Sequence, residues 1–161
     1  MNETVISLET EIRAPIEICF DLSRSIELHQ LSTKQTNEIA IDGRTTGLIE
    51  KGEFVTWEAT HFMIRQHLTV AITEMERPFY FKDVMLKGAF KTMEHVHKLK
   101  SDNGRTLLID EFVYTVPFGF IGALFNWVIL RKYMKSLLTR RNALIKAIAE
   151  SETIPKLLMY A

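Results

Sequence analysis

Two histidines near the middle of the chain have side chains and a spacing that suit proton transfer or metal binding. His95 and His97 are separated by one residue, in a stretch that reads as a β-strand over residues 89–100. Side chains alternate between the two faces of a strand, so both imidazoles share a face with Met93. Neutral imidazoles placed in this way can transfer protons or converge on a metal ion.

Two aspartates lie on the neighbouring predicted strands, Asp83 within residues 79–86 and Asp110 within residues 105–116. If protons are transferred, both histidines and Asp110 are the candidate catalytic residues. A second interpretation is that the histidines and aspartates satisfy one another by hydrogen bonds. A third is that this polar cluster orients a molecule in an otherwise apolar pocket.

A metal ion is not expected at these histidines. A third ligand would be needed, and the candidates are His61, Asp83 and Asp110. Their spacing does not match a diagnostic zinc motif, and two histidines alone are weak evidence for a metal. We therefore predict no metal and no cofactor.

Antiparallel strands must position these side chains. Asp102-Asn103-Gly104 supplies a tight turn, and Lys87-Gly88 supplies another. No long helical pattern interrupts this part of the chain, so the strands are expected to form a meander. The predicted strands are residues 53–62, 65–73, 79–86, 89–100 and 105–116.

One strand and two short helices precede this meander, and one long helix follows it. Residues 5–13 favour a strand, Pro15 suits the start of a short helix, and Ser23 or Ser25 can cap a second helix. Over residues 120–150 the apolar side chains recur every three or four positions, which predicts a long amphipathic helix.

This order of elements, together with local motifs, resembles the START-like (SRPBCC) superfamily. Residues 14–21 match its first helix and residues 52–57 match its third strand. A bacterial subgroup shares further motifs with this chain: residues 78–83, 88–90, 95–97 and 117–119, Thr106 with Asp110, and Tyr133 with Arg141-Asn142.

The resemblance implies an α+β helix-grip fold. In this fold a curved antiparallel sheet of about seven strands wraps around a long C-terminal helix, and two short helices follow the first strand. The resemblance covers nearly the whole chain, so we expect a single START-like domain over residues 1–161. A length of 161 residues with 47% hydrophobic side chains fits one core.

The resemblance also implies an internal cavity that holds a small apolar or amphipathic molecule, such as a lipid or a polyketide. Fold alone does not choose a function, because the superfamily also contains aromatase/cyclases, lipid carriers, chaperone activators and antitoxin-like proteins. Ligand binding is our main expectation. A cyclase or dehydratase that uses histidine and aspartate as acid and base is one alternative, and a non-enzymatic interaction protein is another. Whether the chain is an enzyme stays open.

The residues expected to contact this ligand lie on the predicted strands and on the long helix. The polar candidates are His61, Asp83, His95, His97 and Asp110. The apolar candidates are Trp57, Phe81, Met93, Phe112, Tyr114 and Phe125.

Charge gives the chain no general attraction to nucleic acid, because 20 basic and 20 acidic side chains cancel. The long helix is locally basic, since no acidic residue lies between Glu111 and Glu150. We interpret its basic side as a solvated face, and a weak contact with an anionic membrane surface is the alternative. The basic residues are Arg131, Lys132, Lys135, Arg140, Arg141 and Lys146.

The sequence gives weaker indications of the cellular location and of the oligomeric state. Cys19 is the lone cysteine, and the first residues lack the basic start and apolar run of a signal peptide, so a cytoplasmic location is expected. The apolar segment at residues 154–160 could pack on its own sheet or against a second copy. Both a monomer and a homodimer therefore remain open.

Overall fold

The chain was analysed as a computed structural model that describes residues 3–151. The strands are β1 (Thr4–Ile12), β2 (Ile39–Gly43), β3 (Phe54–His61), β4 (Ile64–Glu76), β5 (Tyr80–Lys87), β6 (Thr92–Asp102) and β7 (Arg105–Thr115). The helices are α1 (Ile16–Ser23), α2 (Ile26–Ser32), a 3₁₀ turn (Lys34–Thr36), α3 (Gly119–Phe125), a π-helical segment (Asn126–Leu130) and α4 (Arg131–Ala149).

All seven strands form one antiparallel sheet in the order β1-β7-β6-β5-β4-β3-β2. Strands β2 to β7 pair with their neighbours in the chain, which confirms the predicted meander. The connection from β1 to β2 joins the two edges of the sheet, and it contains α1 and α2. β-Bulges interrupt the pairing of β4 with β5, where they increase the local twist of the sheet.

The long helix predicted over residues 120–150 is present, but it is not uniform. The backbone stays helical from α3 through the π-helical segment into α4. Such a segment widens the helix locally, and an apolar repeat of three or four residues gives no sign of it. The helix α4 packs against β1, α1 and α2, so the predicted helix-grip α+β fold is confirmed.

Burial along β6 and β7 alternates as the sequence predicts. On β6, Met93, His95 and His97 are buried, whereas Glu94 is exposed. On β7, the buried positions are Thr106, Leu108, Asp110, Phe112 and Tyr114. A strand repeats every two residues, so these side chains all lie on the inner face of the sheet.

Several details differ from the predictions or fall outside the described residues. Strand β6 begins at Thr92 instead of residue 89, and Pro15 is the N-cap of α1 instead of its first residue. Residues 154–160 lie outside the described residues, and the single domain over residues 1–161 stays a prediction. Within residues 3–151, the longest helices are too polar or too short to cross a bilayer.

Candidate functional site

A cavity of about 340 Å³ lies between the inner face of the sheet and the helices. Strands β3 to β7 line one side, whereas α2 and the C-terminal helix line the other. Most of its wall is apolar, which suits the body of a small organic molecule. Central apolar lining residues are Val55, Val70, Ile72, Phe81, Met93 and Phe112.

One end of the cavity carries the histidine and aspartate cluster. The Nε2 atom of His95 lies 3.0 Å from Oδ1 of Asp110, and Nε2 of His97 lies 3.2 Å from Oδ1 of Asp83. The Nδ1 atom of His97 is also 2.7 Å from Oδ1 of Asp110, but it is not aligned for a hydrogen bond, so that contact is electrostatic. Each histidine is therefore tied to a carboxylate on a neighbouring strand.

Strand register explains why these four side chains meet. Asp83 is directly opposite His95 in the pairing of β5 with β6. Asp110 is directly opposite His97 in the pairing of β6 with β7. Directly opposed residues of an antiparallel pair point to the same face, where their side chains interact. Each histidine bonds diagonally, to the carboxylate that lies opposite the other histidine.

Aromatic rings hold the two imidazoles in place. The ring of His97 stacks on Phe81 with centroids 4.1 Å apart and an angle of 15° between the planes. The rings of His95 and His97 are 3.9 Å apart, and Phe112 meets His95 edge-on at 5.3 Å. The imidazoles are thus fixed by packing as well as by hydrogen bonds.

The helix α4 completes the cluster from the other side. The side-chain amide of Asn142 donates a hydrogen bond to Oδ2 of Asp110 at 2.6 Å. Nη1 of Arg141 lies 3.6 Å from Oδ1 of the same carboxylate, and its Nη2 donates to the carbonyl oxygen of Ser23. Arg141 was predicted to belong to the solvated basic face, and this is wrong, because its side chain is buried.

Burial and charge set the ionisation of this cluster. Burial alone would raise the pKa of Asp110, but His97 and His95 outweigh burial and hold that pKa well below its usual range. The pKa of Asp83 is lowered in the same way, because its hydrogen bond from His97 and the nearby charges outweigh burial. Burial and then His97 lower the pKa of His95, so His95 is neutral at pH 7.

Three buried polar atoms have no hydrogen-bond partner within residues 3–151. They are Nδ1 of His97, Nη1 of Arg141 and Oδ1 of Asn142. An unpaired buried polar atom costs stability, so its presence calls for an explanation such as ligand recognition. Arg141 borders the cavity, but its Nη1 atom is itself buried and lies 3.6 Å from Oδ1 of Asp110.

The cluster also has the composition of a metal site. Asp83, His95 and His97 can each present a ligand atom within 4.8 Å of the others. Imidazole and carboxylate together suit zinc and similar ions. The same side chains already pair within the cluster, which accounts for their arrangement through internal hydrogen bonds. The expected absence of a metal stays a prediction.

A second polar group borders the cavity away from this cluster. The Nδ1 atom of His61 lies 2.7 Å from the hydroxyl oxygen of Tyr133, and Nε2 of His29 lies 3.1 Å from Oε1 of Glu38. His29 also stacks on Trp57, with ring centroids 4.1 Å apart. Burial lowers the pKa of His61 more than Glu38 raises it.

Nine of the eleven residues predicted to contact a ligand border the cavity. They are Trp57, His61, Phe81, Asp83, Met93, His95, His97, Phe112 and Phe125. The other two lie behind its wall. Asp110 is buried beneath the histidines, and Tyr114 is fully buried with its hydroxyl donating to Oδ1 of Asn126 at 2.6 Å. Direct ligand contact by Asp110 and Tyr114 is therefore not expected, whereas contact by the other nine stays a prediction.

Among the polar residues that border the cavity, the sequence interpretation missed His29, Glu38, Tyr133 and Arg141 as ligand contacts. For Arg141 a signal existed. It is three residues after Leu138 and four before Ile145, both of which are buried. That helical spacing places Arg141 on the apolar face of the helix. His29 and Glu38 meet only through tertiary packing, which no local pattern indicates.

Comparison with known proteins gives structural matches without sequence matches. No protein-family model and no curated protein matches the chain. TTHA0849 from Thermus thermophilus has a TM-score of 0.69 and 16% identity, over 92% of this chain and 100% of that chain. A START superfamily protein from Mycobacterium smegmatis has a TM-score of 0.68 and 12% identity, over 92% and 99%.

A plant protein gives a similar result. The ginseng major latex-like protein 151 from Panax ginseng has a TM-score of 0.67 and 12% identity, over 92% of this chain and 99% of that chain. These matches confirm the resemblance to the START-like (SRPBCC) superfamily at the level of the fold. At such low identity they speak for the architecture and not for a particular ligand.

Proposed function

We propose that this protein binds a small amphipathic molecule whose apolar body fills the cavity and whose polar group contacts the histidine cluster. The observation that supports this most is a largely apolar cavity whose polar lining side chains form two groups, one of them the histidine cluster. Small-molecule sites commonly have this composition, and their volumes of roughly 300–1,000 Å³ include the present value. The START-like architecture agrees with this proposal.

The charges of the cluster favour a neutral polar group on the ligand. The cluster contains two carboxylates, Asp83 and Asp110, and one guanidinium, that of Arg141. With His95 neutral, the cluster has no net positive charge even when His97 is protonated. An anionic head group would therefore meet no excess of positive charge. Glu38, at the second polar group, adds a further negative charge.

The guanidinium of Arg141 further narrows the chemical class of the ligand. Its Nη1 atom is buried without a hydrogen-bond partner in the described part of the chain, and we propose that a ligand oxygen accepts from it when the guanidinium turns toward the cavity. The carboxylate of Asp83, which also borders the cavity, can accept from a ligand hydroxyl. We therefore favour a hydroxyl or carbonyl group on a lipid-like or polyketide-like body.

Two measurements test this proposal. The first is to purify the protein, record its native mass and identify any compound released by organic extraction; the expected compound is neutral and amphipathic. The second is to titrate two probes of equal chain length, decan-1-ol and decanoate, at pH 8. Decan-1-ol is expected to bind more tightly. An empty extract together with no binding of either probe would overturn the proposal, and tighter decanoate binding would overturn the neutral-ligand assignment.

Acid–base catalysis in the same cavity is a second candidate function. It is favoured by His95, which is neutral, borders the cavity and is hydrogen-bonded to the buried Asp110. Such a pair can accept a proton from carbon next to a ligand carbonyl and return it elsewhere, as a cyclase or dehydratase requires. A poly-β-ketone substrate tests this. Turnover lost in His95→Gln with binding retained would support catalysis, and no turnover by the native protein would exclude it for that substrate class.

A further inference from the structure

Large apolar side chains are exposed around one end of the molecule. Met63, in the turn between β3 and β4, is 97% exposed, Phe120 is 82% exposed and Trp127 is 75% exposed. Proteins that act as isolated monomers in water seldom expose a continuous apolar patch of this kind without a use for it. We call this set the apolar rim: Met63, Phe118, Phe120, Ile121, Leu124 and Trp127.

The apolar rim lies next to a part of the cavity wall. Phe62, beside Met63, contacts Phe125 with ring centroids 5.5 Å apart, which brings the β3–β4 turn to the start of the C-terminal helix. Phe62, Phe118 and Phe125 also border the cavity. The two parts of the rim therefore lie side by side at the cavity mouth.

The backbone holds apolar residues of this end in an unfavourable conformation. Phe62, Met63 and Phe118 have φ angles of 51°, 65° and 66°. Large side chains rarely adopt such left-handed angles, and residues that do so cluster at binding and switch regions. Between Gly119 and Leu130 the only buried residue is Gly122, so the helix itself exposes almost every apolar side chain that it has there.

Basic residues follow the rim on the same helix. No charged residue lies between Glu111 and Arg131, and the next turns then expose Arg131, Lys132 and Lys135. Within residues 3–151 none of these three forms an ion pair, and no acidic residue lies between Glu111 and Glu150. The exposed apolar segment is therefore followed on the helix by three basic side chains that form no ion pair with the described residues. We call Arg131, Lys132 and Lys135 the basic band.

We propose that this end of the protein docks on the surface of an anionic lipid bilayer. The apolar rim would enter the interfacial layer, and Arg131, Lys132 and Lys135 would meet the anionic head groups. Leu124 precedes Arg131 by about 10 Å along the helix axis, so the apolar side chains lie ahead of the basic residues on the same helix. The cavity mouth then faces the bilayer.

A bilayer fits these observations better than a second copy of the chain. In a symmetric dimer built on the rim, the basic bands of both copies would lie near the same interface and repel each other. An anionic membrane neutralises them instead. Contact is restricted to the surface, because no helix in the described region can span a bilayer. Docking on a membrane is a separate property from the proposed ligand binding and does not depend on it.

The two tryptophans of the chain make docking measurable. Trp127 belongs to the rim, whereas Trp57 is buried and 5% exposed. The protein is mixed with vesicles of phosphatidylcholine alone or of phosphatidylcholine with phosphatidylglycerol, and sedimentation and tryptophan emission are recorded. Only the anionic vesicles are expected to sediment the protein and shift the emission to shorter wavelength. Trp127→Phe should lose the shift, and high salt should weaken sedimentation.

Two matched variants locate the contact. Phe120→Ser is expected to reduce sedimentation about tenfold or more. Phe79→Ser is the control, because Phe79 is 50% exposed and lies beside Leu99, at the end of the sheet away from the rim. Equal loss in both variants, no preference for anionic vesicles, or a dimer whose Trp127 emission is already shifted without vesicles would each overturn the proposal.

Discussion

The side-chain amide of Asn142 donates a hydrogen bond to Oδ2 of Asp110 at 2.6 Å, and this joins α4 to the inner face of β7. The other oxygen of that carboxylate accepts from His95 and lies 2.7 Å from His97. One buried carboxylate thus links the long helix to both histidines of the cavity. Asp110 is therefore a positioning residue whose loss should affect stability as well as the site.

Replacing Asp110 by asparagine should destabilise the protein by about 2–4 kcal/mol. The substitution keeps the shape of the side chain but removes a charge that Arg141 faces in a buried environment. Urea denaturation at pH 7 measures the free energy of unfolding. Asp102→Asn, at the exposed β6–β7 turn, is the control and should change it by less than about 0.5 kcal/mol. A loss in Asp110→Asn as small as the control's would contradict this role.

Stability should fall as the pH drops from 7 to 5. The folded-state pKa of His95 and of His61 is lowered, mainly by burial, whereas an unfolded histidine titrates near 6.5. Below that pH the unfolded chain binds protons that the folded chain does not, so unfolding is favoured. Below about pH 4 the unfolded aspartates also take up protons while Asp110 stays ionised, which adds to the loss.

Chemical denaturation at a series of pH values measures this dependence. The variant His95→Gln removes the buried imidazole, so its stability should depend less steeply on pH between 7 and 5 than that of the native protein. His67→Gln is the control, because the side chain of His67 is 54% exposed. If both variants keep the native slope, proton uptake at His95 does not explain the dependence.

The guanidinium of Arg141 should contribute to ligand affinity. In Arg141→Lys the positive charge remains, but the forked guanidinium that reaches both Ser23 and the cavity is lost. We expect decan-1-ol to bind about five- to tenfold more weakly, by calorimetric titration. Arg140→Lys, the exposed neighbour on the same helix, should bind as the native protein does. Equal affinities in both variants would remove Arg141 from the ligand contact.

Metal ions should have little effect on the protein. Binding at Asp83, His95 and His97 would compete with the hydrogen bond that Nε2 of His97 makes with Asp83. We expect the thermal midpoint and the affinity for decan-1-ol to be the same with zinc and with a chelator. A midpoint raised by zinc in the native protein but not in Asp83→Asn would show a metal site instead.

The sequence predicted the inner face of the sheet better than it predicted the helices. Alternation placed His95 and His97 on one face of β6, and the same two-residue repeat holds on β7, where Asp110 is buried together with Leu108 and Phe112. The same reasoning could not tell that Asp110 lies behind the histidines instead of beside the cavity. That depth depends on how α4 packs, through Asn142 and Arg141, and packing is not encoded in a local repeat.

For the long helix, the sequence led to a wrong prediction of which side chains are exposed. Counting basic residues assigned Arg141 to the solvent, whereas its position between Leu138 and Ile145 buries it. A charged side chain by itself favours exposure to solvent. Here a buried carboxylate on the facing strand offsets the free-energy cost of burying the guanidinium. The contact of His29 with Glu38 joins residues on either side of a 3₁₀ turn, and it could not be predicted from either segment separately.

The central claim is that the cavity itself holds the ligand, and filling the cavity tests it most directly. Ala59 is buried on β3 and borders the cavity, whereas the next residue, Thr60, is exposed on the other face of the strand. Decan-1-ol should bind Thr60→Trp as it binds the native protein, and Ala59→Trp at least about tenfold more weakly. Unchanged binding by Ala59→Trp, with its fold intact by circular dichroism, would contradict the claim.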